Sequence, residues 1–272
     1  MAIKTDYHTH SSYSGDSKEP MENMIKAAID KGLDIICFTE HNDFDYPVTE
    51  VDPEGKFLLN VDSYLYDLLL LKNKYADRIN VLFGIELGLQ PSCKRENAIL
   101  AKSHEFDFVI ASSHIVNGKD PYYPAFYEGR SDAEAYMEYF ESELENINKF
   151  DNFDVYGHLD YVVRYGKNKY AEYDYSKFAD IFDEILKALI EKEKGIELNT
   201  AGLRKGINAI HPRIEVLKRY KELGGEIITV GSDAHKAEDV GAGLDTAEQI
   251  LKDCGFKYYT IFDKRSPEYI KL

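Results

Sequence analysis

INVLFGIE (Ile79–Glu86) and FDFVIASSH (Phe106–His114) are two short runs, rich in β-branched and aromatic residues, joined by a polar stretch of helical period. Each is short and largely apolar, the pattern of a strand covered on both faces within a parallel sheet. The same alternation continues in both directions. Upstream lie IKTDYH (Ile3–His8) and DIICFTEH (Asp34–His41); downstream lie DVYGH (Asp154–His158), GIELNT (Gly195–Thr200) and EIITVGSD (Glu226–Asp233). Seven strands result, with YYTIF (Tyr258–Phe262) a candidate eighth.

The stretches between them carry helix punctuation. Glu19-Pro20 opens the first helix, because proline presets an initial turn, and Gly32 closes it. Ser131 with Glu134 forms a capping box, Asp174 or Ser176 can cap the next helix, and Gly224-Gly225 ends the one that begins near Pro212. Repeated strand–helix–strand units imply a parallel sheet with helices outside, and seven or eight such units can close into a barrel. An open doubly wound sheet is the runner-up, but no GxGxxG or GxxxxGK[ST] turn accompanies it. No linker, repeat or low-complexity run interrupts the chain, so residues 1–272 read as a single domain.

Composition excludes several classes. The 272 residues carry 49 acidic against 33 basic side chains, a net charge of −16, which disfavours nucleic acid or anionic lipid as a partner. MAIKTDYHTH at the start has no apolar core of a signal peptide, and the longest clearly apolar stretch, Leu68–Leu71, is far too short to span a bilayer. Three scattered cysteines, Cys37, Cys93 and Cys254, fit reduced thiols, so a cytoplasmic location is expected.

Of eight histidines, six sit at the C-terminal ends of the strands: His8, His10, His41, His114, His158 and His235. Asp16, Glu86 and Asp233 join them at the same end, which in a parallel barrel is the mouth where catalytic residues collect. A single histidine there is ordinarily a hydrogen-bonded core residue. So many polar groups in one apolar mouth need something to coordinate. His8-Thr9-His10 places two imidazoles on one side of an extended strand, where they can chelate one ion. Imidazole suits zinc, iron or manganese, and carboxylate can bridge two ions. With no cysteine in the set, a catalytic site with an open position is expected rather than a structural zinc site. His104, in a polar helical stretch, and His211, before Pro212, are expected at the surface or in a cap, and their exchange should leave metal and activity intact. The acidic runs Glu138–Glu145 and Asp180–Glu193 read as solvated helix faces.

The ordered set HTH, TEH, GIE, SSH, GHLD and SDAH at successive strand ends resembles the PHP (polymerase and histidinol phosphatase) family of metallo-phosphoesterases, from about Ile3 to Phe262. DYHTHSSYSGDS, the long loop after SSH, ELNTAGLRKG and GSDAHKAEDVG resemble the branch that acts on histidinol phosphate. The resemblance implies a distorted (β/α)7 barrel, TIM-like, holding three divalent transition-metal ions (Zn, Fe or Mn). By position, His8, His10, Glu86 and Asp233 would hold one ion. Glu86 would bridge to a second, completed by His114 and His158, while Asp16, His41 and His235 would hold the third. Some relatives place histidine where Asp16 stands.

The implied activity is hydrolysis of a phosphate monoester, L-histidinol phosphate to L-histidinol and phosphate, by attack of metal-bound hydroxide, with Asp233 and His235 as catalytic residues. Charge agrees: three divalent ions and three carboxylates leave a surplus of about +3, which a monoester dianion and a hydroxide balance. Arg164 and Arg204 lie just past strand ends on the same mouth and can grip phosphate as planar forks. Asn117–Arg130 is a long loop suited to set specificity. In it, Tyr122, Tyr123, Phe126 and Tyr127 either cover an imidazole or pack the loop down, and Asp120 and Glu128 can receive an ammonium. Asp6, Glu40 and Asp160 are expected to fix histidine tautomers, and Ser112 and Ser113 to be structural hydroxyls.

Three other functions compete. A phosphodiesterase or nuclease of the same family could take a small nucleotide, although the absence of basic clusters disfavours a polymer. An amidohydrolase-type barrel commonly uses a bridging lysine on its fourth strand, where this chain has Ser113-His114. A metal-binding regulatory domain would retain the ligands without turnover. A small-molecule phosphate ester is the expected partner, and the oligomeric state is left open.

Overall fold

Beyond its first residue, the strand Asn80–Gly88 is buried along its whole length, as its nearly unbroken apolar run requires. In the computed structural model, which describes residues 3–168, 173–204 and 206–272, it is β3 of a seven-stranded parallel sheet. Its companions are β1 (Thr5–Thr9), β2 (Ile35–Asp43), β4 (Phe108–Ser112), β5 (Val155–Tyr156), β6 (Gly195–Asn199) and β7 (Ile228–Gly231), in sequential order. The ends of the sheet meet just beyond β7. Thr9 bridges Ala234, the His10 N–H donates to the Ala234 carbonyl at 2.8 Å, and the Asp233 N–H donates to the His8 carbonyl at 2.8 Å. The product is the expected distorted (β/α)7 barrel, nearly closed.

Among the described residues, seven α-helices surround it: α1 (Met21–Asp30), α2 (Val61–Lys74), α3 (Lys94–Leu100), α4 (Asp132–Lys149), α5 (Ala179–Glu191), α6 (Ile214–Glu222) and α7 (Leu244–Asp253). The capping box is present at α4, where Ser131 Oγ accepts from the Glu134 N–H at 3.2 Å and the Glu134 carboxylate accepts from the Ser131 N–H at 2.8 Å. Asp174 caps a short 3-10 turn, Tyr175–Lys177, ahead of α5 rather than α5 itself. Among the described residues, no helix is long and apolar enough to cross a membrane.

YYTIF does not become an eighth barrel strand. It forms β8 (Tyr258–Asp263), paired antiparallel with β9 (Ser266–Lys271) in a separate hairpin. It meets β7 through a side chain rather than a ladder, the Ile228 N–H donating to Thr260 Oγ1 at 3.1 Å. Phe262 instead packs with Tyr7, Leu82, Phe108, Ile110 and Val155. The Tyr7 hydroxyl donates to the Phe262 carbonyl at 2.9 Å and accepts from the Phe262 N–H at 3.0 Å. Replacing Tyr7 by Phe leaves both backbone groups unpaired and should cost about 1–3 kcal/mol. A urea unfolding curve at fixed metal content should show the lower midpoint; an unchanged midpoint would mean that the hairpin is held by packing alone.

Candidate metal centre

Strand register carries the sequence-derived ligand candidates to one end of the barrel. His8 lies one residue before the end of β1 with His10 just beyond the strand, His41 and Glu86 face each other across the β2–β3 register, and His114 follows β4. His158 follows β5, and Asp233 and His235 follow β7. His158 (φ 21°) and Asp233 (φ 53°) have positive φ, a backbone state costly for non-glycine residues and concentrated at functional sites.

Glu86, fully buried, is the centre of the arrangement. Its Oε2 lies 2.8 Å from His41 Nδ1, 3.4 Å from His8 Nε2 and 3.6 Å from His10 Nε2. Its Oε1 lies 3.0 Å from His158 Nε2 and 3.4 Å from His114 Nε2, and accepts a hydrogen bond from Ser112 Oγ at 2.7 Å. One carboxylate thus turns its two oxygens toward two sets of imidazoles. Asp233 Oδ1 adds contacts of 3.8 Å to His10 Nε2 and 3.5 Å to His235 Nδ1. Asp16 stands at the rim with its side chain 41% exposed, its Oδ2 3.2 Å from His235 Nε2 and 3.7 Å from His41 Nε2.

The polar atoms left without partners say what the cluster is for. His8 Nε2, His10 Nε2, His41 Nδ1, His235 Nε2 and Glu86 Oε2 are buried without a hydrogen bond among the described residues. An interior that leaves so many lone pairs unmet is unstable unless a cation meets them. Four overlapping sets have ligand atoms within 4.8 Å of one another: His10 with His41 and His235, His8 with His10 and Asp233, His8 with Glu86 and His158, and His41 with Glu86 and His114. These residues fit a site that holds metal. Burial alone would raise the Glu86 carboxyl, but the imidazoles of His8, His41 and His114 hold it well below the usual range. His41, despite burial, is pushed up to about 9 by Glu86 and Asp16. His10 lies well below the ordinary range, through burial and then the charges of His41 and His235.

The groups that fix the histidines differ from those expected. His8 Nδ1 is 2.6 Å from Glu197 Oε1, His114 Nδ1 is 2.7 Å from Asp43 Oδ1, and His10 Nδ1 is 3.0 Å from Ser14 Oγ. Glu40 acts one step further out, accepting from Ser11 and Ser14. Asp6 binds Ser232 and the Gly241 N–H, so it holds the loop that carries Asp233 rather than a ring. Room for these carboxylates comes from glycine. A Cβ at Gly231 would fall on Glu197 Oε1 and His8 Cβ, and one at Gly88 on Asp43 Oδ1. Asp43 and Glu197 went unnoticed in the sequence, although Asp43 shares a strand face with His41 and Glu197 is a lone carboxylate in a buried strand.

Above the cluster opens a cavity of about 580 Å³. His41, His114, His158, Asp233 and His235 line it below, with Arg164 beside them. Its walls include Tyr46, Phe57, Tyr122, Tyr123, Tyr161 and Tyr165, with the carboxylates of Asp52 and Asp120. The long loop therefore divides: Tyr122 and Tyr123 face the cavity, while Phe126 and Tyr127 are buried in the core. Asp120 lines the cavity and accepts from Tyr46; Glu128 is exposed and away from it. Ser113 pairs with Tyr156 at 2.6 Å, a structural role.

The two arginines separate as well. Arg164 is buried at the cavity, its Nη2 3.7 Å from Asp233 Oδ2. Arg204 does not line the cavity: its Nη2 donates to the carbonyls of Ser232 (2.6 Å) and Asp233 (3.2 Å), and its Nε is 3.3 Å from Asp239 Oδ1. Of the two remaining histidines, His104 is near the surface against Asp62 at 2.9 Å. His211 is not a surface or cap residue. It is fully buried, with its backbone paired to Asn199 and its imidazole to Asp160, which thus fixes a histidine as expected, though one outside the ligand candidates.

A parallel barrel with a histidine–carboxylate cluster at its C-terminal mouth is the layout of a metal-dependent hydrolase. The chain belongs to the PHP domain family, whose model matches residues 6–201. It is 34% identical over 264 residues to a probable histidinol-phosphatase of Clostridium acetobutylicum, covering 97% of this chain and 98% of that one. It is 35% identical over 260 residues to the histidinol-phosphatase of Lactococcus lactis, covering 95% and 94%. The crystal structure of histidinol phosphate phosphatase from Lactococcus lactis, complexed with zinc, L-histidinol and phosphate, superimposes with a TM-score of 0.90 at 34% identity, over 98% of this chain and 99% of that one. A putative histidinol phosphatase from Listeria monocytogenes shares the fold, with a TM-score of 0.75 at 20% identity over 89% and 99%.

Two exchanges probe the centre. Glu86→Gln should lower bound metal, read by elemental analysis, because an amide is a poor anionic ligand; full occupancy would contradict a bridging carboxylate. Glu197→Gln should keep the fold while weakening metal affinity by roughly 10–100-fold, as loss of a carboxylate behind a ligating histidine does. Unchanged affinity in a metal titration would mean that Glu197 only fills space.

Proposed function

We propose that this protein hydrolyses L-histidinol phosphate to L-histidinol and phosphate, a step of histidine biosynthesis. The observation that carries the reading is one continuous site. A cluster fit for divalent ions forms the floor, a buried arginine stands beside it, and aromatic and acidic walls rise around a cavity of about 580 Å³. The relative whose crystal structure holds zinc, L-histidinol and phosphate aligns with nearly the whole chain.

The cluster is assigned to two or three transition-metal ions, since nine candidate ligands exceed the need of one. Glu86 would bridge, with His8, His10 and Asp233 holding one ion and His114 and His158 a second, while Asp16, His41 and His235 would hold a third. Bound ions lower the pKa of water, neutralise the phosphoryl oxygens and stabilise the leaving alkoxide. The protein supplies the rest. Arg164 offers its fork to the phosphoryl oxygens, while Arg204, outside the cavity lining, steadies the Ser232 and Asp233 carbonyls. Asp233 and His235 form a pair at the cavity wall able to hold the proton of the attacking water. Asp52 and Asp120 suit the substrate ammonium, and Tyr122 and Tyr161 suit its imidazole.

A panel of phosphate monoesters assayed with zinc-, iron- and manganese-loaded protein tests the reading. kcat/KM for L-histidinol phosphate should exceed that for aryl and sugar phosphates by at least about 100-fold. The gene should restore growth without histidine to a strain lacking this step. Equal rates on unrelated monoesters, with no rescue, would leave a general phosphatase.

A further inference from the structure

His211 belongs to none of the metal-facing sets, yet every polar group it carries is engaged. Its N–H donates to the Asn199 carbonyl at 2.9 Å, and its carbonyl accepts from the Asn199 N–H at 2.7 Å. This fixes the residue to the end of β6. Its Nδ1 meets Asp160 Oδ1, and the other oxygen of Asp160 accepts from the Arg213 N–H at 2.9 Å. Its Nε2 lies 3.5 Å from Arg164 Nε. Arginine can only donate, so His211 Nε2 must be the acceptor and Nδ1 must carry the proton that goes to Asp160. The buried carboxylate therefore selects the one tautomer able to hold Arg164.

Arg164 needs holding. Its guanidinium stands 5.1 Å from the Tyr161 ring centroid, and its Nη2, buried and without a hydrogen bond among the described residues, is 3.7 Å from Asp233 Oδ2. Without an anchor on Nε, the Asp233 carboxylate would draw the fork onto itself. A salt bridge there would occupy a metal-facing carboxylate and remove the donors from the cavity.

We propose that His211, with its tautomer set by Asp160, is a positioning residue that keeps the Arg164 fork on the phosphoryl oxygens and off Asp233. The inference rests on the phosphate-ester reading above, and it reverses the expectation that His211 is dispensable.

The test is a double-mutant cycle on zinc-loaded protein, read by calorimetric binding of inorganic phosphate and by kcat and KM separately. His211→Ala should weaken phosphate binding and raise KM by about tenfold, with kcat less affected and zinc content unchanged. In an Arg164→Ala background the same exchange should change either value by less than about twofold. His211→Gln and His211→Met fill similar volume, but only glutamine places an acceptor where Nε2 was; Gln should recover most of the binding and Met should not. Equal losses in both backgrounds, Gln and Met behaving alike, or loss of zinc would each overturn the proposal. Phosphate binding is read apart from turnover, so a protein that hydrolyses no phosphate ester would refute the functional reading while the binding cycle still decides the role of His211.

Discussion

A fully buried carboxylate among five imidazoles is the constraint on which this structure depends. Glu86 is fully buried, and an unpaired charge at such depth costs several kcal/mol. The histidines that approach its two oxygens come from β1, β2 and the ends of β4 and β5, so satisfying Glu86 also fixes how those strands meet at the mouth. The imidazole nitrogens left unmet give the cluster its chemistry. They cannot all stay protonated side by side: burial, and then the charges of His41 and His235, hold His10 well below its ordinary range. A divalent cation would resolve the conflict by replacing several protons with one centre of charge.

Around this core lies a ring of carboxylates whose work is orientation. Glu197 holds His8 and Asp43 holds His114, and both occupy space that glycines leave open at positions 231 and 88. Asp160 plays the same part for His211, except that the ring it orients faces a guanidinium. One device, a buried carboxylate choosing an imidazole tautomer, thus serves both the histidine cluster and the arginine beside the cavity.

Much of this was legible in the sequence. Seven apolar runs separated by helix punctuation specify a parallel barrel, because only a sheet covered on both faces tolerates such strands. Residues that terminate strands, such as His114 after FDFVIASSH, are placed at the mouth by topology alone. What escaped notice depends on contacts between distant segments. YYTIF has the composition of a strand, but whether it joins the barrel depends on whether β1 and β7 have already met. His211 looks like a helix-start residue because its partners, Asp160 and Arg164, lie in another loop. Arg204 and Arg164 read alike in sequence, yet one supports the carbonyls of Ser232 and Asp233 while the other lines the cavity.

The central claim is that Glu86 divides its oxygens between two ions. Anomalous diffraction from crystals of zinc-loaded protein, recorded on both sides of the zinc absorption edge, measures this directly. The account predicts peaks on both sides of Glu86, with Oε1 and Oε2 each about 2.0–2.2 Å from a different ion. A single ion bound by both oxygens, or peaks that leave Glu86 outside every coordination sphere, would contradict it.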